Sequence, residues 1–136
     1  EAIEADGKDD ADHILMIFSD LAGQKGVFSQ AKGIFNKLAF NLRHYKISII
    51  IDTQSLRQIN PAFRENLSGI ILFSGITNRL ELQKIYDEYL GDFDKEEQRQ
   101  LIEFAFRKPY DFLDINFAKH GLDKFYHNFN KIKIEK

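Results

Sequence analysis

The sequence predicts an α/β protein, a parallel sheet flanked by helices. Three observations carry this reading: short unbroken apolar runs closed by polar residues, an amphipathic helical pattern between the first two runs, and capping signatures ahead of two later helical segments. Ile14 to Phe18 (ILMIF), ended by Ser19-Asp20, reads as a strand buried on both faces. After a loop with Gly23 and Gly26, apolar residues at Ala31, Ile34, Phe35, Leu38, Ala39 and Leu42 recur at helical spacing, from a capping Ser29 to about His44. Ile47 to Ile51 (ISIII) is a second buried strand, ended by Asp52-Thr53-Gln54. Strand, helix and strand in succession make a right-handed parallel crossover.

Pro61 suits the first turn of a short helix reaching Asn66, and Gly69 to Phe73 (GIILF) is a third apolar run. Asn78 followed by Glu81, and Asp94 followed by Glu97, are capping-box patterns that open helices to about Leu90 and through Phe106. Tyr110 to Ile115 (YDFLDI) reads as a last core strand, expected to join the same parallel sheet. Three regions follow: an acidic loop or arm over residues 1–13, the α/β body over 14–115, and an aromatic and lysine-rich tail over 116–136. The tail, with Phe125, Tyr126 and Phe129, shows no clear period and is left without elements.

The chain has 136 residues, 43% hydrophobic and 29% charged, enough to bury a core as one domain. A net charge of −2 argues against binding nucleic acid by bulk attraction, so any such contact must be local. Without cysteine there is neither a disulfide framework nor a thiolate metal site, and a reducing compartment is expected. No apolar run reaches the roughly 20 residues of a membrane span, and no membrane partner is expected. The first residue is Glu1 and not a methionine, which suggests a processed product or an excised piece of something longer.

In open α/β sheets ligands gather at the carboxyl ends of the strands, here Ser19-Asp20, Asp52-Thr53-Gln54 and Ser74. An acidic residue after a buried strand has the form of a Walker B element, which holds magnesium or positions a water for attack on a γ-phosphate. The plain alternative is a solvated strand terminus. Gln54 can hydrogen-bond a water and a phosphate oxygen together; otherwise it and Thr53 cap the following turn. Arg43 and His44 suit a helix C-terminus electrostatically, and Arg64 is either a surface charge or a phosphate-directed cation.

Taken in order, ILMIFSDLAG, NLRHYKISIIIDTQ, INPAFRENLSGIILF and PYDFLDI resemble the second half of the genome-packaging ATPases of large DNA viruses, a branch of the FtsK/HerA superfamily. The resemblance spans roughly Ile14 to Ile115. It implies the C-terminal half of a RecA-like P-loop ATPase domain. The implied activity is magnesium-dependent ATP hydrolysis by a homo-oligomeric ring that drives double-stranded DNA into a capsid, with capsid or portal proteins as partners and the host cytoplasm or virion as location. Carried over by position, Asp20 falls at the second acid of Walker B and Gln54 at the sensor glutamine. Ser19 shares the metal position with Asp20, while Arg43, His44, Arg64 and Asn66 match the Arg-His and Arg-x-Asn motifs of nucleotide-binding or trans-acting groups.

Two departures bear on activity. Ser19 stands where the family usually has Asp, and the chain contains no GxxxxGK followed by Ser or Thr; the Gly23-Gln24-Lys25-Gly26 loop lacks its spacing. Either the chain is a fragment whose N-terminal half carries the P-loop, or it is a degenerate relative that no longer hydrolyses ATP; the first is favoured, and hydrolysis is expected of a longer parent and not of this chain alone. Two other readings compete: a non-catalytic interaction module on the same sheet, binding a capsid protein or another ATPase subunit, and a receiver-like or nuclease-like domain with Asp20 and Asp52 as an acidic metal pocket.

Overall fold

The computed structural model describes residues 12–19, 37 and 40–135. The chain is a mixed α/β structure in two compact units, Glu1–Asn66 and Leu67–Lys136.

In the first unit β1 (Ile14–Phe18) and β2 (Ile47–Ile51) pair in parallel, Ile14 opposite Ile47 and Phe18 opposite Ile51. The crossover helix expected between them lies mostly outside the described residues; Lys37, Phe40 and Asn41 are helical. A turn then closes through Ile47 N–H donating to the Leu42 carbonyl at 2.9 Å, and the chain enters β2. Beyond β2 come a 3₁₀ turn (Leu56–Gln58) and α1 (Pro61–Arg64). Pro61 opens α1 with its fixed φ, and Asn60 caps it by accepting the Ala62 N–H at 2.9 Å. Leu56, Ile59 and Phe63 form the apolar centre of this segment.

Double burial of the first two strands is not what the structure has. Exposure alternates along β2 and over Leu15 to Phe18 of β1, and Leu15, Ile17 and Ile50 are 56%, 66% and 54% exposed. A run apolar at every position carries no alternation, so it cannot reveal whether one face is left uncovered.

The second unit holds an antiparallel sheet in the order β3 (Gly69–Phe73), β4 (Phe112–Asn116), β5 (Phe125–His127), β6 (Asn130–Lys131). The expectation that β3 and β4 lie parallel in one sheet with β1 and β2 is corrected here: β3 and β4 run antiparallel, Gly69 opposite Asn116 and Phe73 opposite Phe112. The reason is parity. One crossover helix returns the chain to the end where the strand began, whereas α2 (Arg79–Tyr89) and α3 (Lys95–Ala105) carry it up and back again, so the next strand is reversed. Gly69 is needed for the close pairing, because a Cβ there would sit 3.1 Å from the Ile115 carbonyl oxygen.

Both helices start as their caps dictate. Asn78 accepts the N–H groups of Leu80 and Glu81, while Asp94 and Glu97 form a complete reciprocal box at 2.9 Å in each direction. The core packs between helices and sheet: Ile85, Leu90, Leu101, Ile102 and Ala105 against Leu113, Ile115 and Phe125, with Phe93 at 5.3 Å from Phe125. The tail contributes β5 and β6 to this sheet. Strands of three and two residues are too short to show a period, which is why residues 116–136 read as patternless.

Candidate functional site

Parallel pairing brings the carboxyl ends of β1 and β2 side by side. The Asp52 N–H donates to the Phe18 carbonyl at 3.1 Å, which continues the ladder by one step and sets Asp52 beside Ser19. There the Ser19 hydroxyl donates to Asp52 Oδ2, and both residues face solvent. A serine after one strand thus donates its hydroxyl to a carboxylate after the next.

Thr53 folds the following loop inward. Its hydroxyl accepts the Ser55 N–H at 3.2 Å and lies 3.0 Å from both the Ser55 carbonyl and Gln58 Oε1. This is the side-chain capping weighed for Thr53 and Gln54 together, and only Thr53 performs it. Gln54, two residues past Asp52, is exposed at the loop surface. The carboxyl end of this small sheet therefore presents a hydroxyl, a carboxylate and an amide on adjacent connections. Asp20, the Walker B acid of the sequence reading, lies outside the described residues.

Arg43 and His44 stand at the other end. They precede β2, both exposed, and the Lys46 N–H closes a turn on the Arg43 carbonyl at 3.4 Å. His44 meets the edge of Tyr45 at 5.1 Å. A five-residue strand is about 16 Å long, so within this unit the pair does not share a ligand with Asp52.

Arg64 and Asn66 have local partners. Arg64 is 6% exposed, and its Nη1 donates to the carbonyls of Leu56, at 2.9 Å, and Ile59. Asn66 Nδ2 donates to the Ala62 carbonyl at 2.8 Å, closing the end of α1. These bonds tie the 3₁₀ turn to the short helix. The sequence signal was available in part, since a cation eight residues after Leu56 and five after Ile59 can reach back across a turn, but the burial was not.

Among the described residues no group of three or more His, Cys, Asp or Glu side chains could hold a metal ion. Ser19 and Asp52 supply one hydroxyl and one carboxylate, a partial oxygen set of the kind magnesium completes with waters and substrate phosphates. A separate groove of about 410 Å³ in the second unit runs between α3 and residues 130–135. None of the sequence-predicted site residues lines it.

No family model, curated protein or solved structure matches the chain. Among the described residues no helix is long and apolar enough to cross a membrane. The role of the site rests on its own geometry and on the residues that compose it.

Proposed function

We propose that the chain is the C-terminal half of a RecA-like packaging-motor ATPase, supplying the metal-side and sensor groups of an ATP site whose P-loop belongs to the longer parent. The observation that carries this reading is the Ser19–Asp52 pair at the carboxyl ends of two adjacent parallel strands, with Gln54 on the same connection. Ligands of open α/β folds bind at such strand ends.

The residues divide the work by chemistry. Asp20, one step past Ser19, is the carboxylate that holds or polarises the attacking water. Gln54 has a donor and an acceptor on one amide, so it can hold that water and a phosphate oxygen at once. Asp52 fixes the Ser19 hydroxyl, leaving the serine oxygen's lone pairs for a metal-bound water, and so offsets the loss of a carboxylate at that position. Magnesium, held by Ser19 and Asp20, would neutralise charge on the phosphates of ATP. In this reading Arg43 and His44, at the far end of β2, act on a neighbouring subunit's site in a homo-oligomeric ring. Double-stranded DNA is then the cargo, with capsid or portal proteins at the ring's docking face.

The test uses a parent protein that carries its P-loop. Asp20→Asn should lower hydrolysis by about 100-fold or more, the scale of a lost acid–base or electrostatic group. Its melting temperature should stay within a few degrees, because polar strand ends contribute only about ±0.5 kcal/mol. Gln54→Ala should lower turnover with less effect on nucleotide affinity, since a water-positioning group acts mainly in the transition state. An Asp20→Asn protein that unfolds while its folded fraction keeps full turnover would overturn the assignment. The non-catalytic interaction module would then be the better reading; the exposure of Leu15, Ile17 and Ile50 on the small sheet favours it.

A further inference from the structure

The sheet of the second unit ends in two unlike edges. β6 closes one of them with only Asn130 and Lys131, and the lysine pairs with Asp123 Oδ1 at 2.7 Å. A very short strand and a lysine upon it are both devices that keep an edge from pairing further. β3 forms the other edge, with β4 as its single strand neighbour. Its residues, Gly-Ile-Ile-Leu-Phe, include no charge and no proline, and their register with β4 runs without a bulge.

The ladder fixes which way each backbone group of β3 points. The Ser74 N–H donates to the Asp111 carbonyl at 2.8 Å, and the Phe117 N–H donates to the Ser68 carbonyl at 3.0 Å. Antiparallel pairs alternate between bonded and unbonded, so Ser68, Ile70, Leu72 and Ser74 turn their backbone groups toward β4. Gly69, Ile71 and Phe73 turn theirs outward. Among the described residues these outward N–H and C=O groups have no partner. The same positions carry the exposed side chains of the strand, with Ile71 44% and Phe73 59% exposed.

We propose that this edge pairs with the β3 edge of a second copy of the chain, antiparallel about a two-fold axis at Ile71, so that the two four-stranded sheets become one. A row of outward donors and acceptors is complemented by another strand. What selects a second copy is that the row complements itself. Gly69 and Phe73 lie equally far from Ile71 on its two sides, so the two-fold sets Ile71 opposite the partner's Ile71 and each Phe73 opposite the partner's Gly69. Every outward N–H then meets an outward C=O. A ring opposite a glycine covers the backbone that the glycine leaves open. Gly69 cannot fill that gap itself, because a Cβ there would sit 3.1 Å from the Ile115 carbonyl oxygen.

The register is specific. A slip of two residues in either direction carries Gly69 or Phe73 past the end of the facing strand and loses both ring–glycine pairs. On the helix-covered face the symmetric register sets Ile70 beside the partner's Leu72, so apolar positions meet there as well. A pairing of this kind uses the same patch on both copies and closes at two. It is separate from the head-to-tail contacts that a ring needs, and none of its residues belongs to the Ser19–Asp52 site. The proposal therefore stands without the motor reading.

The experiment is sedimentation equilibrium of the full chain, with amide exchange followed residue by residue by NMR at low and high concentration. One strand pairing is a small interface, so the dimer is expected to form between about 1 μM and 1 mM chain. As it forms, exchange at the Gly69, Ile71 and Phe73 amides should slow by about 10-fold or more. Ile71→Lys sets like charges opposite each other on the axis and should raise the dissociation constant by about 10-fold or more, and Ile71→Glu should do the same. Both substitutions are at an exposed side chain, and circular dichroism checks that each protein is folded. An equimolar mixture of the two should recover wild-type association, because each lysine then faces a glutamate. The proposal fails if the chain stays monomeric throughout that range, or if the Lys and Glu proteins do not associate when mixed. It also fails if a dimer forms while those three amides exchange as fast as in the monomer, because the contact is then elsewhere.

Discussion

Arg64 shows how one residue's surroundings decide its role. From its motif it reads as a phosphate-directed cation; in the structure its guanidinium is buried against the carbonyls of Leu56 and Ile59. A carbonyl left without its donor in a buried place costs about 1–3 kcal/mol. Arg64→Met keeps the apolar stem and removes the donors, so it should destabilise the chain by about 2 kcal/mol in a denaturant melt. An unchanged midpoint would mean that those carbonyls find other donors and that Arg64 is available elsewhere. Gln54 has the opposite character: exposed on its loop, it is a position where substitution should reach chemistry without touching stability.

At the scale of elements, the helices of the second unit begin where local chemistry says they should. Asp94 and Glu97 satisfy two N-terminal donors of α3 reciprocally, and α3 carries Leu101, Ile102 and Ala105 into the core. Asp94→Ala removes one half of the box and the favourable charge at the helix N-terminus, and should cost about 1 kcal/mol. For a unit of 60–100 residues this corresponds to roughly 4–8 °C in melting temperature, readable by circular dichroism. Asp94→Asn, which keeps a capping oxygen, should recover most of that loss. Strand direction does not follow from such local signals. The parity of the intervening helices set β4 against β3, and a reading that counts helices between runs recovers it.

At the scale of the molecule, the acid side of the stability curve should carry the signature of Asp111. The Asn128 amide first, then His127 and the Lys108 N–H, hold its carboxyl below the usual aspartate value. A depressed carboxyl stabilises the folded state above the unfolded-chain value, near pH 4, and loses that contribution as pH falls through the folded value. Thermal melts should therefore show stability flat from neutrality to about pH 4 and falling below it. Asp111→Asn should be less stable at neutral pH, with the difference from wild type shrinking in acid. A difference that stays constant from pH 7 to pH 2 would assign the falling limb to other carboxylates.

The apolar runs, the amphipathic spacing and the capping pairs placed β1 to β4 and α1 to α3 within a few residues, because each is written in contiguous sequence. They also marked Ser19, Asp52 and Gln54 as strand-end groups. Tertiary structure alone decided which strands pair and in which direction, and that Leu15 and Ile17 stand exposed in an apolar run. It also decided that Arg64 is consumed inside a turn, and that Ser19 and Asp52, 33 residues apart, are joined by a hydrogen bond. Those outcomes depend on what lies across the fold from each residue, and neither spacing nor composition encodes a neighbour that is distant along the chain.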